Sequence, residues 1–460
     1  MAITNTTAVQ ITKIVNSQRE YFATGQTLNI SYRIAALKSL KAAIKKFEKP
    51  LAQALWQDLH KSYEEAYLTE LSIVLGEIDN HIRHLKQWAA PKHHSTPLKM
   101  FPSRSKVISE PLGLALIIAP WNYPVQLLLN PLVGAISAGC TAVLKPSPYV
   151  PTVAKVLEEL ITECFNRDYV AIVQGNRDVN TLLLEQRYDL IFFTGSPSLG
   201  RTVMSAAAKN LTPVVLELGG KSPCVVDCSA DIATAAKRIA WGKSLNAGQT
   251  CIAPDYLLVH HAIKEQLVEA LKSEFKRLLG KNPKKSRHFV RIVNDRAFDR
   301  LVGYIKGANV VVGGNYDKDE RYIEPTIIDN VSLDSPVMEE EIFGPIFPVV
   351  TYITTEQAVK FINEREKPLA LYYFGDQQSA DYVIGHTSSG GACVNDTIVH
   401  IANEKLPFGG VGNSGMSSYH GEESFKVFSH FRSVVTTPTW IDLPFRYMPY
   451  RLFSLVKKLL

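Results

Sequence analysis

Two short glycine-containing segments bring together a carboxylate and a thiol, the groups needed for acyl-transfer chemistry. The first segment is residues 216–223, LELGGKSP, and the second is residues 248–251, GQTC. A thiolate can attack an electrophilic carbon and become acylated, and a carboxylate base can then activate the water that releases the acyl group. We therefore interpret Cys251 as a candidate nucleophile and Glu217 as a candidate hydrolytic base.

Each of these residues also has an ordinary structural interpretation. Most cysteines in a chain of this size are small buried hydrophobic residues. Glu217 follows an apolar run, residues 212–216, that predicts a buried strand, and a polar residue can simply end such a strand. The pairing of the two segments, rather than either residue alone, favours catalysis. The cysteines stand at positions 140, 164, 224, 228, 251 and 393. Cys224 and Cys228 have no second Cys or His pair nearby, so we expect no metal site.

The surroundings of both segments resemble the aldehyde dehydrogenase superfamily, and the resemblance extends over nearly the whole chain. Residues 216–223 and 246–256, NAGQTCIAPDY, look like the two signatures of that superfamily. Five further motifs occur in the family's order: PWNYP at 120–124, LKPS at 144–147, FTGS at 193–196, EIFGP at 341–345 and LPFGGVGNSG at 406–415. The short amino-terminal region, the WNYP variant and the GNSGM ending followed by YHG look most like the class 3 branch, which contains fatty and aromatic aldehyde dehydrogenases.

The resemblance implies a mechanism for the candidate residues. Cys251 attacks the aldehyde carbon, and the side-chain N–H of Asn122 and the backbone N–H of Cys251 stabilise the oxyanion. Oxidation of this adduct by NAD or NADP gives a thioester, which water activated by Glu217 hydrolyses to a free carboxylate. The presence of Glu217 argues against coenzyme A as the acyl acceptor. Taken alone, Asn122 is better explained as a turn residue.

Cofactor-binding residues follow from the same resemblance. Residues 195–200, GSPSLG, lie where a predicted strand meets a helix, and the helix N-terminus could face a pyrophosphate. The segment lacks the full GxGxxG fingerprint and is a weak signal by itself. Without the resemblance, Lys145 and Glu341 are better explained as exposed charges. The resemblance implies cofactor contacts for Lys145 and Ser147 near the adenine ribose, Gly195, Ser196 and Gly200 near the pyrophosphate, and Glu341 and Phe343 near the nicotinamide.

One departure from the family pattern bears on cofactor choice. Many NAD-preferring members have a glutamate three positions after the ribose-binding lysine, where it would repel a 2′-phosphate. This chain has Pro148 there. Because the like-charge penalty is missing, we expect NADP to be accepted as well as NAD.

Composition is that of a large globular enzyme. With 460 residues, 46% hydrophobic and 20% charged, the chain can form two or three domains with sizeable cores. The first 25 residues have no apolar stretch like a signal peptide, and no segment has the ~20 apolar residues of a membrane span. The irregular cysteines suggest reduced thiols, so we expect a cytoplasmic protein. The net charge of +6 comes from dispersed residues, which argues against a nucleic-acid surface.

Hydrophobic periodicity predicts an α/β fold. Apolar residues at intervals of three and four make the first ninety residues mostly helical, with Ser31 as a plausible N-cap and Pro50 as a break. From Leu112, short apolar runs alternate with helical stretches, which is typical of a parallel, doubly wound sheet. A second alternating block begins near Lys221, and the helix at 231–245 leads to Cys251.

The resemblance divides the chain into domains and implies a homodimer. Residues 1–98 and 111–218 are expected to form a Rossmann-type cofactor-binding domain, 219–412 an α/β catalytic domain, and 99–110 with 428–440 a small β oligomerisation arm. The apolar and basic tail is 441–460. Within it, residues 445–460 combine aromatic and aliphatic side chains with four cations, which suggests either peripheral membrane contact or a lid over a substrate entrance. Both interpretations imply a hydrophobic aldehyde, of the medium- or long-chain, aromatic or isoprenoid type.

Three other functions stay open at the level of sequence. A semialdehyde dehydrogenase would share all the motifs. A cofactor-independent cysteine hydrolase would need a histidine base, and none of the 12 histidines lies in a recognisable catalytic motif. A catalytically silent structural member of the family would keep the fold alone, although intact Cys251, Glu217 and Asn122 argue against it.

Overall fold

Amphipathic helices occupy most of the first ninety residues, as the apolar spacing predicts. The computed structural model describes residues 4–450 and 453–459. The predicted cap at Ser31 is wrong: Asn29 caps the second helix, because its side-chain oxygen accepts from the backbone N–H of Ser31 at 2.8 Å. The break falls at Phe47 rather than Pro50, which lies in the first turn of the third helix, where a missing N–H is tolerated.

The helices are numbered in chain order, and a five-residue π-helical turn, Tyr67–Leu71, joins the fourth to the fifth. They are α1 Ala8–Ala23, α2 Ile30–Lys46, α3 Glu48–Leu59, α4 Tyr63–Ala66, α5 Ser72–Trp88, α6 Gln126–Ala138, α7 Pro151–Cys164, α8 Arg177–Leu184, α9 Pro197–Ala208, α10 Ile232–Ser244, α11 Lys264–Leu279, α12 Asp295–Ile305, α13 Pro336–Glu339, α14 Thr355–Asn363, α15 Gln377–His386, α16 Glu422–Val427 and α17 Phe453–Leu459.

The strands are numbered in the same way and form two large sheets, a three-stranded sheet and a small hairpin. They are β1 Lys92–His94, β2 Arg104–Pro111, β3 Leu114–Ile118, β4 Thr141–Lys145, β5 Val170–Ile172, β6 Leu190–Thr194, β7 Val214–Glu217, β8 Pro223–Val226, β9 Tyr256–His260, β10 Asn309–Val312, β11 Tyr316–Asp317, β12 Tyr322–Ile323, β13 Thr326–Asp329, β14 Ile346–Tyr352, β15 Ala370–Phe374, β16 Gly391–Val394, β17 Gly415–Met416 and β18 Ser429–Thr436.

The first large sheet has the strand order β17-β7-β6-β3-β4-β5. Its strands are parallel except β17, which pairs antiparallel with β7 through Gly415 and Glu217. Strands β3, β4 and β6 are buried along their whole length, which explains why they appear in the sequence as continuous apolar runs rather than as alternation. The sheet therefore has the parallel, helix-covered architecture that the sequence predicts.

The second large sheet has the order β10-β13-β14-β9-β8-β15-β16, with only the β10–β13 pair antiparallel. The chain passes from the first sheet to the second between Glu217 and Pro223, so the glycine turn of the first signature is the connection between them. The α/β fold class is confirmed. The exact domain boundaries stay predictions.

The two segments expected to form the oligomerisation arm, 99–110 and 428–440, contribute strands that pair with each other. Strand β18 lies antiparallel to β2 in register from Ser429 opposite Pro111 to Thr436 opposite Arg104, and β1 completes this sheet on the other side of β2. No helix among the described residues is long and apolar enough to cross a membrane. Within the same residues, no cluster of three or more His, Cys, Asp or Glu side chains is suited to a metal ion.

Candidate active site

A left-handed turn presents Cys251 to the interior. After α10 ends, Asn246, Ala247 and Gly248 have positive φ angles of 50°, 52° and 72°. A Cβ on Gly248 would lie 2.4 Å from the carbonyl oxygen of Gly344, so only glycine fits at this position. The turn reverses the chain tightly and places Cys251 against the neighbouring loop.

The side chain of Gln249 holds this turn in place. Its Nε2 donates to the carbonyl oxygens of Asn246 and Arg291, each at 3.1 Å. Its Oε1 accepts from the backbone N–H of Val293 at 3.1 Å. All three bonds are buried, where a hydrogen bond is strong and its loss is costly. The backbone that leads to Cys251 is therefore rigid.

Asn122 faces the same turn from the segment between β3 and α6. Its Nδ2 donates to the carbonyl oxygen of Gln249 at 3.1 Å, and the side chain is buried. A carboxamide nitrogen carries two hydrogens, so one remains for an oxygen that becomes negative during reaction. Within the described chain its Oδ1 has no hydrogen-bond partner. The structure thus fixes the orientation of an amide with a spare donor.

Glu217 ends β7 in an apolar environment. The residue is 2% exposed, and among the residues that the structure describes neither carboxylate oxygen has a hydrogen-bond partner. Burial raises the pKa of Glu217 well above the ordinary carboxyl range. Such a carboxyl group is a much stronger base once deprotonated than an exposed one, and is suited to take a proton from water.

The thiol of Cys251 is also held in its neutral form. Burial raises the pKa of Cys251 most, and the carboxylates of Glu341 and Glu217 raise it further by charge repulsion. The thiolate, not the thiol, is the nucleophile. Attack by Cys251 must therefore be coupled to loss of its proton.

One cavity of about 660 Å³ connects these groups. Seven of the predicted site residues line it: Asn122, Gly195, Ser196, Glu217, Cys251, Glu341 and Phe343. They come from segments distributed between positions 122 and 343 of the chain. The candidate nucleophile, the candidate base, the Asn122 amide and part of the predicted cofactor set thus share one cavity.

The N-terminus of α9 opens into this cavity. Ser196 caps the helix by accepting from the N–H of Leu199 at 3.5 Å, and Pro197 is its first residue. The Oγ1 of Thr194 is buried beside it and has no partner within residues 4–450 and 453–459. A Cβ on Gly195 would lie 2.6 Å from the ring of Phe193, so the glycine allows close approach. Spare donors and a positive helix end fit the pyrophosphate of a dinucleotide.

Three predicted cofactor residues lie outside the cavity lining. Lys145 is fully buried and its Nζ donates to the carbonyl oxygen of Pro146 at 2.8 Å, while burial lowers its pKa to about 8. The Oγ of Ser147 accepts from the N–H of Tyr149 at 3.3 Å. Gly200 packs on Leu218, which a Cβ would approach to 2.8 Å. Gly200 therefore brings α9 close to the strand end, and the ribose contacts of Lys145 and Ser147 stay predictions.

The loop that carries Glu341 and Phe343 reaches the cavity from the second large sheet. Burial and the neighbouring Asp255 raise the pKa of Glu341 to about 8. Phe343 has a φ of 50°, unusual for an aromatic residue, and its ring meets that of Trp121 edge-on with centroids 5.4 Å apart. This strained backbone at a site residue is held by the surrounding contacts.

Two cations that sequence reasoning missed hold this loop. The guanidinium of Arg300 donates to the carbonyl oxygens of Glu341 at 3.2 Å and Ile342 at 2.7 Å. Lys221 is 2.5 Å from Asp255 and also donates to backbone oxygens of the loop. Lys221 lies within the first signature, and that position is a sequence signal for a role at the site. Nothing in the sequence distinguishes Arg300 from an exposed helix residue.

Comparison with known proteins gives consistent results. The model of the aldehyde dehydrogenase family matches residues 1–434. The chain is 46% identical to 4,4′-diaponeurosporen-aldehyde dehydrogenase of Staphylococcus aureus over 94% of this chain and 95% of that protein. It is also 46% identical to the dimeric NADP-preferring aldehyde dehydrogenase of Canis lupus familiaris, over 96% and 98% of the two chains. A solved structure described as the substrate-bound state of Staphylococcus aureus AldH superposes with a TM-score of 0.96 at 45% identity, covering 98% of this chain and 99% of that chain.

Proposed function

This chain belongs to the aldehyde dehydrogenase family, and we propose on that basis that it oxidises hydrophobic aldehydes to free carboxylates with NAD or NADP. The observation that carries the proposal is the single cavity shared by Cys251, Asn122 and Glu217 beside the N-terminus of α9. These groups supply a nucleophile, an oxyanion donor and a base within reach of one bound aldehyde.

Attack on the aldehyde is the first step. The thiol proton of Cys251 is released to solvent, a bond forms between Sγ and the carbonyl carbon, and the electron pair of the carbonyl double bond moves to the oxygen, which becomes negative. The free N–H of the Asn122 side chain and the backbone N–H of Cys251 donate to that oxygen. Because Asn122 is already oriented by Gln249, little reorganisation is needed as the charge develops.

The residues at the N-terminus of α9 and in the loop of Glu341 and Phe343 would hold the dinucleotide. Gly195, Ser196, Glu341 and Phe343 line the cavity. In this proposal the first two would contact the pyrophosphate, Glu341 would accept hydrogen bonds from a ribose, and Phe343 would support the nicotinamide ring. When bound, the nicotinamide supplies the hydride acceptor that converts the Cys251 adduct into a thioester. The protein's part in this step is orientation and exclusion of water.

Hydrolysis of the thioester needs a base. Glu217 takes a proton from water, the resulting hydroxide adds to the thioester carbon, and the sulfur of Cys251 leaves as the carboxylate forms. The absence of any hydrogen-bond partner for the Glu217 oxygens among the described residues leaves both free to bind that water. Water, rather than coenzyme A, is therefore the expected acyl acceptor.

Two observations support a hydrophobic aldehyde. The relative from Staphylococcus aureus is named for an isoprenoid aldehyde, 4,4′-diaponeurosporen-aldehyde. In the carboxyl-terminal tail of this chain, large apolar side chains are exposed rather than packed: Tyr447, Met448, Tyr450 and Phe453. Such a surface suits either peripheral contact with a membrane that dissolves the substrate or a lid over a substrate entrance.

The β arm supports a homodimer. Strand β18 is paired with β2 on one edge, and its other edge has no strand partner within the part of the chain that the structure describes. An unpaired edge exposes backbone donors and acceptors that can bind a second chain. Val435 on this strand is 50% exposed. The canine relative carries the word dimeric in its name.

A direct assay tests the proposed function. We expect NAD(P)H absorbance at 340 nm when decanal is added to the protein with NAD or NADP, and one equivalent of decanoate by mass spectrometry. The Cys251→Ala variant is the control and should produce neither. Ester hydrolysis without any aldehyde-dependent NAD(P)H would favour a cysteine hydrolase instead, and inactivity of the wild type in both assays would favour a silent member of the family.

A further inference from the structure

A fully buried ion pair lies beside the backbone of Asn122 and takes no part in the chemistry described above. The Nζ of Lys61 is 2.6 Å from Oε1 of Glu70, and neither side chain is exposed. Desolvation of two charges largely offsets their attraction, so a buried pair usually contributes little net stability. Its contacts with the active-site segment suggest a different role.

Lys61 binds the peptide of Asn122 directly. Its Nζ donates to the carbonyl oxygen of Asn122 at 3.0 Å and lies 4.2 Å from the centre of the Tyr123 ring. An ammonium group has three hydrogens, and Glu70, the carbonyl oxygen and the aromatic face account for three partners. The ammonium group is therefore held from three sides, and its hydrogen bond in turn restrains the peptide of Asn122.

Glu70 binds the same segment further along. Its Oε2 accepts from the backbone N–H of Val125 at 2.8 Å and from that of Gln126 at 3.4 Å, where α6 begins. The carboxylate thus caps the N-terminus of α6, an arrangement that stabilises a negative charge. Glu70 lies in the π-helical turn 67–71, an uncommon geometry that is frequent at functional sites.

Asn246 connects this segment to the turn before Cys251. Its Nδ2 donates to the carbonyl oxygens of Asn122 at 3.0 Å and Gln249 at 2.9 Å. The side chain of Asn122 donates to the same Gln249 oxygen. A displacement of the Asn122 carbonyl would therefore also move its side-chain amide relative to Cys251.

We propose that Lys61 and Glu70 are positioning residues for the reaction, because together they fix the backbone from the Asn122 carbonyl to the start of α6 so that the Asn122 amide meets the developing oxyanion. The proposal rests on the proposed function, in which Asn122 stabilises that oxyanion. Lys61 and Glu70 are not among the residues that line the cavity, so they would act through the Asn122 segment.

Three variants test the proposal: Lys61→Met, Glu70→Gln and the double variant Lys61→Met/Glu70→Gln. In all three we expect kcat for aldehyde oxidation to fall by about tenfold to 100-fold, less than the loss typical of deleting an oxyanion donor. KM should change by less than about threefold, because binding before attack does not use the oxyanion contact.

The double variant separates positioning from folding. It removes both buried charges, so its melting temperature should return towards that of the wild type even where the single variants are unstable. If the pair only stabilises the fold, kcat recovers together with stability, and the proposal is overturned. If the pair positions Asn122, kcat stays low because the Asn122 carbonyl still lacks the Lys61 donor and keeps only Asn246.

Alkylation of Cys251 by iodoacetamide provides a second readout, since that reaction forms no oxyanion. In the double variant we expect an alkylation rate within about twofold of the wild type. A loss of alkylation equal to the loss of kcat would show that the whole Cys251 turn has moved, which contradicts a specific effect on Asn122. In the Asn122→Ala background, Lys61→Met should lower kcat by less than about threefold. Both substitutions disrupt the same oxyanion contact of Asn122, so their effects should not add.

A matched control is Arg33→Met. Arg33 is a buried cation that donates to the backbone oxygens of Thr27, Leu28 and Ser137, far in sequence from the Cys251 turn. Its loss should lower the melting temperature but leave kcat within about twofold at a temperature where the variant is folded. A wild type without aldehyde oxidation would overturn the proposed function itself, before any variant is compared.

Discussion

The carboxylate of Glu341 lies directly against the backbone of Gly219: a Cβ built on Gly219 would be 2.0 Å from Oε2 of Glu341. Gly219 belongs to the turn that follows Glu217, the proposed base, and Glu341 belongs to the loop expected to bind the nicotinamide ribose. The absence of a side chain at 219 therefore allows two distant parts of the chain to meet at the cavity. No positive φ is required at this glycine, so space rather than backbone conformation selects it.

Replacement of Gly219 by alanine should therefore displace Glu341. For Gly219→Ala we expect KM for NAD and NADP to rise and kcat to fall, each by about tenfold, since small displacements of positioned groups have large effects on rate. Gly303→Ala is the matched control, because a Cβ there meets nothing within 4 Å. Steady-state kinetics with decanal would measure both. Unchanged kinetics in Gly219→Ala would show that Glu341 does not bind the cofactor.

The roles of Cys251 and Glu217 can be separated in time. Cys251→Ala should abolish NAD(P)H formation and ester hydrolysis, whereas Glu217→Gln should form one equivalent of NAD(P)H and then stop at the acyl-enzyme. Stopped-flow absorbance measures the burst, and mass spectrometry measures the acylated protein. Loss of the burst in Glu217→Gln would instead mean that Glu217 is needed to deprotonate Cys251.

The pH dependence of thiol reactivity should reveal the charge of Glu341. Burial and the negative charge of Glu341 both raise the pKa of Cys251, and the pKa of Glu341 itself is raised to about 8. The rate of Cys251 alkylation should therefore rise with pH, and Glu341→Gln should move the profile to lower pH. The difference in alkylation rate between the wild type and Glu341→Gln should be largest above pH 8, where Glu341 is charged in the wild type.

Glu339→Gln is the control for that shift. It removes an equal charge two residues before Glu341, at the end of α13, but Glu339 is exposed, so water and salt screen its effect on the thiol. Its alkylation profile should match that of the wild type. An equal shift in both variants would assign the effect to net charge rather than to Glu341.

Cofactor choice should be broad. Because Pro148 replaces the glutamate that would repel a 2′-phosphate, we expect kcat/KM for NADP within about tenfold of that for NAD, a difference of ~1.4 kcal/mol. Pro148→Glu should impair NADP selectively, and Pro148→Gln, which has the same shape without the charge, should not. A wild-type protein that cannot use NADP at millimolar concentration would contradict this interpretation.

Substrate length should matter. If the substrate site is apolar, kcat/KM should rise from acetaldehyde towards aldehydes of about eight carbons, with up to ~0.8 kcal/mol for each buried methylene. Deletion of residues 445–460 should weaken this rise but leave small aldehydes unaffected. A profile that is flat, or one that favours charged semialdehydes, would exclude a hydrophobic substrate without affecting the cysteine mechanism.

Liposome co-sedimentation distinguishes the two roles of the tail. Binding of the full chain to anionic vesicles, lost on deletion of 445–460, would identify a membrane anchor. The double substitution Met448→Ser/Phe453→Ser removes two exposed apolar side chains and keeps every cation, so it measures the apolar share of that binding. Absence of binding together with a weakened length profile would identify a lid.

The sequence by itself determined the alternation of strands and helices, and it predicted the nucleophile and the base. These are local properties: a motif such as GQTC is read within a few residues, and a buried parallel strand is a continuous apolar run. The family followed from seven such motifs in order, and the structure and comparisons agree with it. Even local inference was limited at element ends, where Asn29 rather than Ser31 caps α2, because both residues can cap and only the backbone geometry selects one.

Only the tertiary structure decided which charged residues support the site. Lys61 and Glu70 each look like ordinary helix-region charges, but folding buries both and places them 2.6 Å apart, against a peptide more than fifty positions away. The same holds for Arg300 on α12 and its contacts with the loop of Glu341. The raised pKa of Glu217 likewise comes from burial by parts of the chain remote in sequence. Desolvation and long-range hydrogen bonds depend on packing, and no local pattern of residue types encodes them.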